Sequence, residues 1–79
     1  MWYVYVLESI DHDWTYVGFT KELKKRVVAH NAGKTQSTKA YAPFKLGAFV
    51  AVNSREKARN LEKYFKTGSG IAWMSKHIV

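Results

Sequence analysis

Seventy-nine residues are enough for one hydrophobic core and too few for two, since a chain this short buries only about 60% of its unfolded-state surface. With 47% apolar residues, 15% aromatic residues and no cysteine, the composition excludes intrinsic disorder, disulfides and thiolate metal centres. Thirteen Lys and Arg against six Asp and Glu leave +7, with no Lys or Arg among the first thirteen; this points to a polyanionic partner, nucleic acid rather than membrane, because no apolar run reaches the ~20 residues of a span and no basic helix has a wide lipid-facing stripe.

Taken in chain order, Trp2 to Glu8 and Trp14 to Thr20 are rich in aromatic and β-branched residues, and the Ser9 to Asp13 stretch between them has turn chemistry, so the two segments are expected to form a β-hairpin. Period-2 alternation places Tyr3, Tyr5 and Leu7 on one face of the first strand and Trp14, Tyr16 and Gly18 on one face of the second, which allows Tyr5 and Tyr16 to project to the same side. A helix is expected from Thr20 or Lys21 to Asn31 or Ala32, with Leu23, Val27 and Val28 as its core contacts and Gly33 ending it. Lys34 to Lys45 reads as a polar, basic loop broken by Pro43, and Leu46 to Val52 as a central strand covered on both faces. Asn53 followed by Glu56 looks like the capped start of a second long helix through Lys66; beyond Gly68-Ser69-Gly70, a short terminal helix would carry Ile71, Trp73, Met74 and Ile78. The expected fold is an α/β (α+β) domain of order ββαβα plus a short C-terminal helix, one domain over residues 1–79, with a cytoplasmic address as the default.

Three ionisable residues interrupt the apolar stripes. Ala58, Leu61 and Phe65 define the buried face of the second helix, and Glu62 falls within it, where an unpartnered carboxylate would cost several kcal/mol or shift its pKa. Taken singly, Glu62 reads better as an ion-pair partner of Lys66 four residues on. Arg26 and His30, also four apart, flank Leu23 and Val27 on the same side, a placement that allows both to face the hairpin; each alone fits a solvated or structurally satisfied residue. Together with the two tyrosines they form a convergent polar set in a domain with few core positions to spare.

Along nearly its whole length the chain resembles the GIY-YIG endonuclease superfamily. Tyr3-Val4-Tyr5 stands at the first signature tripeptide and Tyr16-Val17-Gly18 at the second. Leu23-Lys24-Lys25-Arg26, His30-Asn31-Ala32-Gly33-Lys34 and Leu61-Glu62-Lys63-Tyr64-Phe65-Lys66 are similar to the small stand-alone members, and to the nuclease domain of the bacterial excision-repair incision subunit.

The resemblance implies a small three-stranded antiparallel sheet flanked by helices, with a phosphodiesterase site on the hairpin face. It implies that Glu62 ligates one divalent cation, Mg²⁺ or Mn²⁺, that Arg26 clamps the phosphate, and that Tyr5 and Tyr16 orient or deprotonate the attacking water, with His30 a rival base. Lys21, Lys24, Lys25, Lys34 and Lys39 would contact nucleic-acid backbone, DNA rather than RNA. The chain departs from the pattern in having Tyr3 for the first glycine, Phe19 where some branches have lysine, and no asparagine after Glu62. The implied function is a metal-dependent DNA endonuclease acting in DNA repair or processing; the alternative is a non-catalytic nucleic-acid-binding module that keeps the nuclease fold. No base-reading appendage is present, so targeting is expected from a protein partner or a homodimer, between which the sequence does not choose.

Overall fold

The strand β1, Trp2–Ser9, is the middle of three, and a computed structural model describing residues 1–67 shows why. Val4 and Val6 point to one face and Tyr5 and Leu7 to the other, and all four are buried, a two-sided burial that a strand obtains only with partners on both edges and cover on both faces. Strand β2, Thr15–Thr20, pairs antiparallel with one edge of β1, setting Tyr5 opposite Gly18 and Leu7 opposite Tyr16. Strand β3, Phe44–Val52, pairs antiparallel with the other, giving the order β2-β1-β3. The three-stranded antiparallel sheet and the order ββαβα are as expected; the short helix expected after Gly68-Ser69-Gly70 lies outside the described residues.

The apolar run Leu46–Val52 is not a central strand. It belongs to the edge strand β3, much of whose outer surface is exposed. A shift in register explains the misleading pattern: Val6 pairs with Ala48 but Leu7 pairs with Leu46, which leaves Gly47 as the extra residue of a β-bulge. The bulge reverses the alternation, so Leu46 and Phe49, three apart, lie on the same face as Leu7 and Tyr5, while Ala48, Val50 and Val52 lie on the other.

Helix α1, Leu23–Asn31, begins two or three residues later than the sequence suggests, because the Thr20 hydroxyl accepts the Glu22 N–H (3.1 Å) and holds a turn in front of the helix. Gly33 follows it at φ +72°, the left-handed conformation that favours glycine. Asn31 then fastens the end of α1 to the start of β3, its Oδ1 accepting the Phe44 N–H at 2.6 Å and its Nδ2 donating to the Phe44 carbonyl at 3.2 Å. The loop between them holds a 3₁₀ turn, Lys39–Tyr41, that is anchored rather than merely polar: Tyr41 stacks on Trp14 with centroids 4.1 Å apart, and Ser9 Oγ donates to the Tyr41 carbonyl.

Helix α2, Arg55–Phe65, is capped by Ser54, not Asn53: the Ser54 hydroxyl accepts the Lys57 N–H, whereas Asn53 Oδ1 receives the Lys57 ammonium. The two helices cover opposite faces. Against α2, Val4, Val6 and Val17 pack with Ala58 and Phe65; against α1 and the loop, Tyr5, Leu7 and Phe44 pack with Leu23, Val27 and Tyr41. Among the described residues no helix is long and apolar enough to cross a membrane.

Candidate active site

Tyr5 owes its position to a glycine across the strand pair. A Cβ built on Gly18 would stand 2.5 Å from the Tyr5 hydroxyl oxygen and 2.7 Å from the adjoining ring carbon, so the phenol lies flat over Gly18 in space that any other residue would fill. Tyr16, two pairs further along and so on the same face, sets its ring 6.3 Å from that of Tyr5, and both tyrosines occupy the α1 face. Their environments differ: Tyr5 is 1% exposed, whereas Tyr16 lies partly open at the rim.

Across this face α1 places Arg26 and His30, one turn apart, on the Tyr5 hydroxyl. Arg26 Nε donates to it at 3.4 Å, and His30 Nε2 stands 3.1 Å from it. The far nitrogen of the imidazole, Nδ1, lies 2.8 Å from the hydroxyl of Thr38, which itself donates to the Thr35 carbonyl at 3.4 Å. His30 and Thr38 are both fully buried. Donor and acceptor chemistry fixes the direction of the chain. Arginine only donates and a carbonyl only accepts. A buried phenol without an acceptor carries an unmet hydrogen-bond cost, and Nε2 is the acceptor beside it, so the Tyr5 O–H donates to His30 and Nδ1–H donates to Thr38.

The electrostatics agree with that polarity. Burial, aided by the charge of Arg26, pushes the His30 pKa below its usual value, so the ring is neutral at physiological pH. Burial also raises Tyr5 above the ordinary phenol value; the hydrogen bond from Arg26 opposes this, and the neighbouring Tyr16 phenol and the Glu62 carboxylate reinforce it. Tyr5 is therefore a neutral phenol aimed at a neutral imidazole, not a standing tyrosinate.

Glu62 reaches the same edge from α2. Its side chain is 17% exposed, and its carboxylate meets Lys66 Nζ at 3.7 Å, so the cation demanded by its near-core position is the i+4 lysine. Lys66 Nζ in turn stands 5.9 Å from the Tyr16 ring centroid, which ties the pair to the tyrosines. Among the described residues no three His, Cys, Asp or Glu side chains converge, so the donor set fits only a hard cation that keeps most of its waters and takes a single carboxylate.

The lysines divide into groups. Lys24, Lys25 and Lys34 share with Arg26 a shallow groove along the outside of α1. Lys21 sits at the end of β2 with its ammonium 5.4 Å from the Trp2 ring centroid, and Lys39 opens the 3₁₀ turn, away from that groove. Sequence reasoning missed Thr38. Nothing in the run Thr35-Gln36-Ser37-Thr38 separates it from its neighbours, and only the burial of His30 creates the need for an acceptor at Nδ1.

The family model described as the GIY-YIG catalytic domain matches residues 1–71. UPF0213 proteins of Streptococcus pyogenes serotypes M3 and M1 are each 42% identical over 65 residues, covering 81% of this chain and 70% of theirs. The solution NMR structure of the UPF0213 protein BH0048 from Bacillus halodurans superposes with a TM-score of 0.57 at 31% identity, covering 96% of this chain and 84% of that one.

Proposed function

Because the chain belongs to the GIY-YIG family, whose domain is that of a nuclease, we propose that it is a divalent-metal-dependent endonuclease that hydrolyses phosphodiester bonds, in DNA rather than RNA, during DNA repair or processing in the cytoplasm. The observation that carries this reading is the directed cluster Arg26, Tyr5 and His30 on the face where Tyr16 lies partly open, with Lys66, the ion-pair partner of Glu62 on α2, 5.9 Å from the Tyr16 ring centroid.

In this reading Arg26 spends Nε–H on Tyr5 and keeps its terminal nitrogens for the non-bridging phosphoryl oxygens, whose charge grows as water adds to phosphorus. Tyr16, at the rim, orients the water. As the new P–O bond forms and the bond to the leaving oxygen breaks, the proton lost by the water passes to Tyr5 Oη while Tyr5 passes its own to His30 Nε2; one proton moves from water to imidazole overall. His30 is wholly buried and takes part only through Tyr5, and Tyr5, itself 1% exposed, receives the proton only from a water that enters between Arg26 and Tyr16. Glu62 would hold one Mg²⁺ or Mn²⁺ with water completing its shell, and what such a cation supplies is charge stabilisation at the leaving oxygen. Lys24, Lys25 and Lys34, in the groove beside Arg26, supply backbone contacts; Lys21 and Lys39 lie further out.

The test is to incubate supercoiled, branched and flapped DNA, and RNA, with Mg²⁺ or Mn²⁺, comparing the parent with Glu62→Ala. Cleavage of DNA by the parent, reduced roughly a hundredfold or more by the substitution, is the expected result. A second reading, a non-catalytic binding module, draws support from the Lys66 ammonium already on Glu62. It predicts binding with a steep salt dependence, no cutting of any substrate, and equal binding by Glu62→Ala.

A further inference from the structure

The α1 face of the sheet is only partly covered. Leu23 and Val27 close it over Tyr5 and Leu7, but beyond them a groove opens between α1 and the sheet, floored by Tyr3, Leu46, Phe49 and Val28. Phe49 is 52% exposed and Val28 63%, large values for an aromatic ring and a β-branched side chain in a domain with so few core residues. The bulge at Gly47 makes this floor, since without it Leu46 and Phe49 would point to opposite faces. Tyr3 meets Phe49 edge-on with centroids 6.0 Å apart, so the two rings form an aromatic corner.

The rim is cationic. Lys21, Lys24 and Lys25 line the groove, with one carboxylate, Glu22, that Lys25 already pairs at 3.5 Å. A second copy of this chain is a poor occupant, because a two-fold contact through this face would bring the lysine rims of both molecules together. Duplex DNA satisfies the lysines yet hides its base faces, leaving Phe49 and Tyr3 wet. A polyanion that also offers bare aromatic faces satisfies both floor and rim, and unpaired nucleotides have that chemistry.

We propose that this groove binds unpaired single-stranded DNA, its phosphates on Lys21, Lys24 and Lys25 and a base stacked on the Phe49 and Tyr3 corner. The inference rests on the nuclease reading for its purpose: Lys24 and Lys25 line both this groove and the one that contains Arg26, so a strand held here is handed to the Arg26 groove by shared residues, and the substrate class it selects is DNA with an unpaired stretch beside the bond to be cut. Binding itself is independent of turnover.

The experiment measures fluorescence anisotropy of a dye-labelled oligothymidylate, an oligouridylate of equal length and a hairpin duplex, all in EDTA so that nothing is cut, with parent, Phe49→Ala and Phe49→Trp. The parent is expected to prefer the oligothymidylate. Phe49→Ala should weaken that binding roughly tenfold or more while leaving the duplex unaffected, and Phe49→Trp should restore it. Thermal melts confirm that each variant is folded. Equal oligothymidylate binding by parent and Phe49→Ala overturns the groove, and tighter binding of the oligouridylate overturns its assignment to DNA. Should Phe49-dependent binding hold while the parent cuts nothing with Mg²⁺ or Mn²⁺, the nuclease reading falls and the groove stands; cutting without Phe49-dependent binding has the reverse meaning.

Discussion

The two faces of β1 are made by alternate residues of one eight-residue strand, yet they have little in common. On the α2 side Val4 and Val6 meet Val17, Ala58 and Phe65, a wholly apolar contact. On the α1 side Tyr5 meets Arg26 and His30, and His30 meets Thr38, so polar atoms are buried in a chain of hydrogen bonds. The difference teaches how a domain this small divides its labour. One face supplies stability with hydrocarbon, and the other can then hold a polar cluster whose members, if left unpaired, would each cost about 1–3 kcal/mol. Gly18 marks the boundary, because its missing side chain lets the Tyr5 ring lie flat instead of standing into the cover.

The harshest way to break the contrast is to empty the apolar side. Phe65→Ala is expected to cost about 3–5 kcal/mol in a urea titration, enough to leave a domain of this size largely unfolded. A loss under about 1 kcal/mol would mean that α2 is not the stabilising cover.

How much of this was legible beforehand also follows the two faces. The tyrosines, Arg26 and His30 could be placed on one face because strand and helix periodicity project forward from local spacing, whereas Glu62 stands on α2 and is linked to Tyr16 only through Lys66. Strand β3 could not be placed, because a single extra residue at Gly47 turned a half-exposed edge into what reads as a buried centre. Ser54 displaced Asn53 as the cap, a choice between adjacent good caps that only backbone geometry makes. Thr38 was out of reach for a different reason. It acts eight residues from His30 through a loop whose path periodicity does not describe.

Thr38 offers a gentler cut, at the end of the polar chain. Thr38→Val keeps the shape and removes the acceptor for His30 Nδ1–H, an expected loss of about 1–3 kcal/mol. The ring should no longer be held as the Nδ1–H tautomer, and ring ¹⁵N NMR shifts of the neutral protein should show the Nε2–H form appearing, with Thr38→Ser restoring the parent spectrum. If the parent is already the Nε2–H form, the direction assigned to the Tyr5 hydrogen bond is wrong. On the nuclease reading the same variant lowers the cleavage rate with little change in substrate affinity, since Thr38 acts only through His30.

The smallest effect is a dependence of stability on pH generated by the buried groups of the polar face. The folded protein holds His30 below the usual value of about 6.5, so as pH falls through that point the unfolded chain takes up a proton that the native state refuses, and stability declines until the native pKa is passed. Tyr5 acts at the other end. Its native pKa lies above about 10, so as pH rises through that value the unfolded phenol ionises first and stability again declines. Each slope is at most one proton, about 1.4 kcal/mol per pH unit. Urea midpoints measured from pH 5.5 to 11 should therefore show a plateau between about 6.5 and 10 with losses on both sides. The part of the alkaline loss that belongs to Tyr5 should disappear in Tyr5→Phe, while the acid loss should persist, because that substitution leaves His30 buried beside Arg26. An acid limb that stays flat would mean that native His30 accepts a proton as readily as the unfolded chain, and a ring so easily charged would not be the neutral acceptor that the Tyr5 hydroxyl requires.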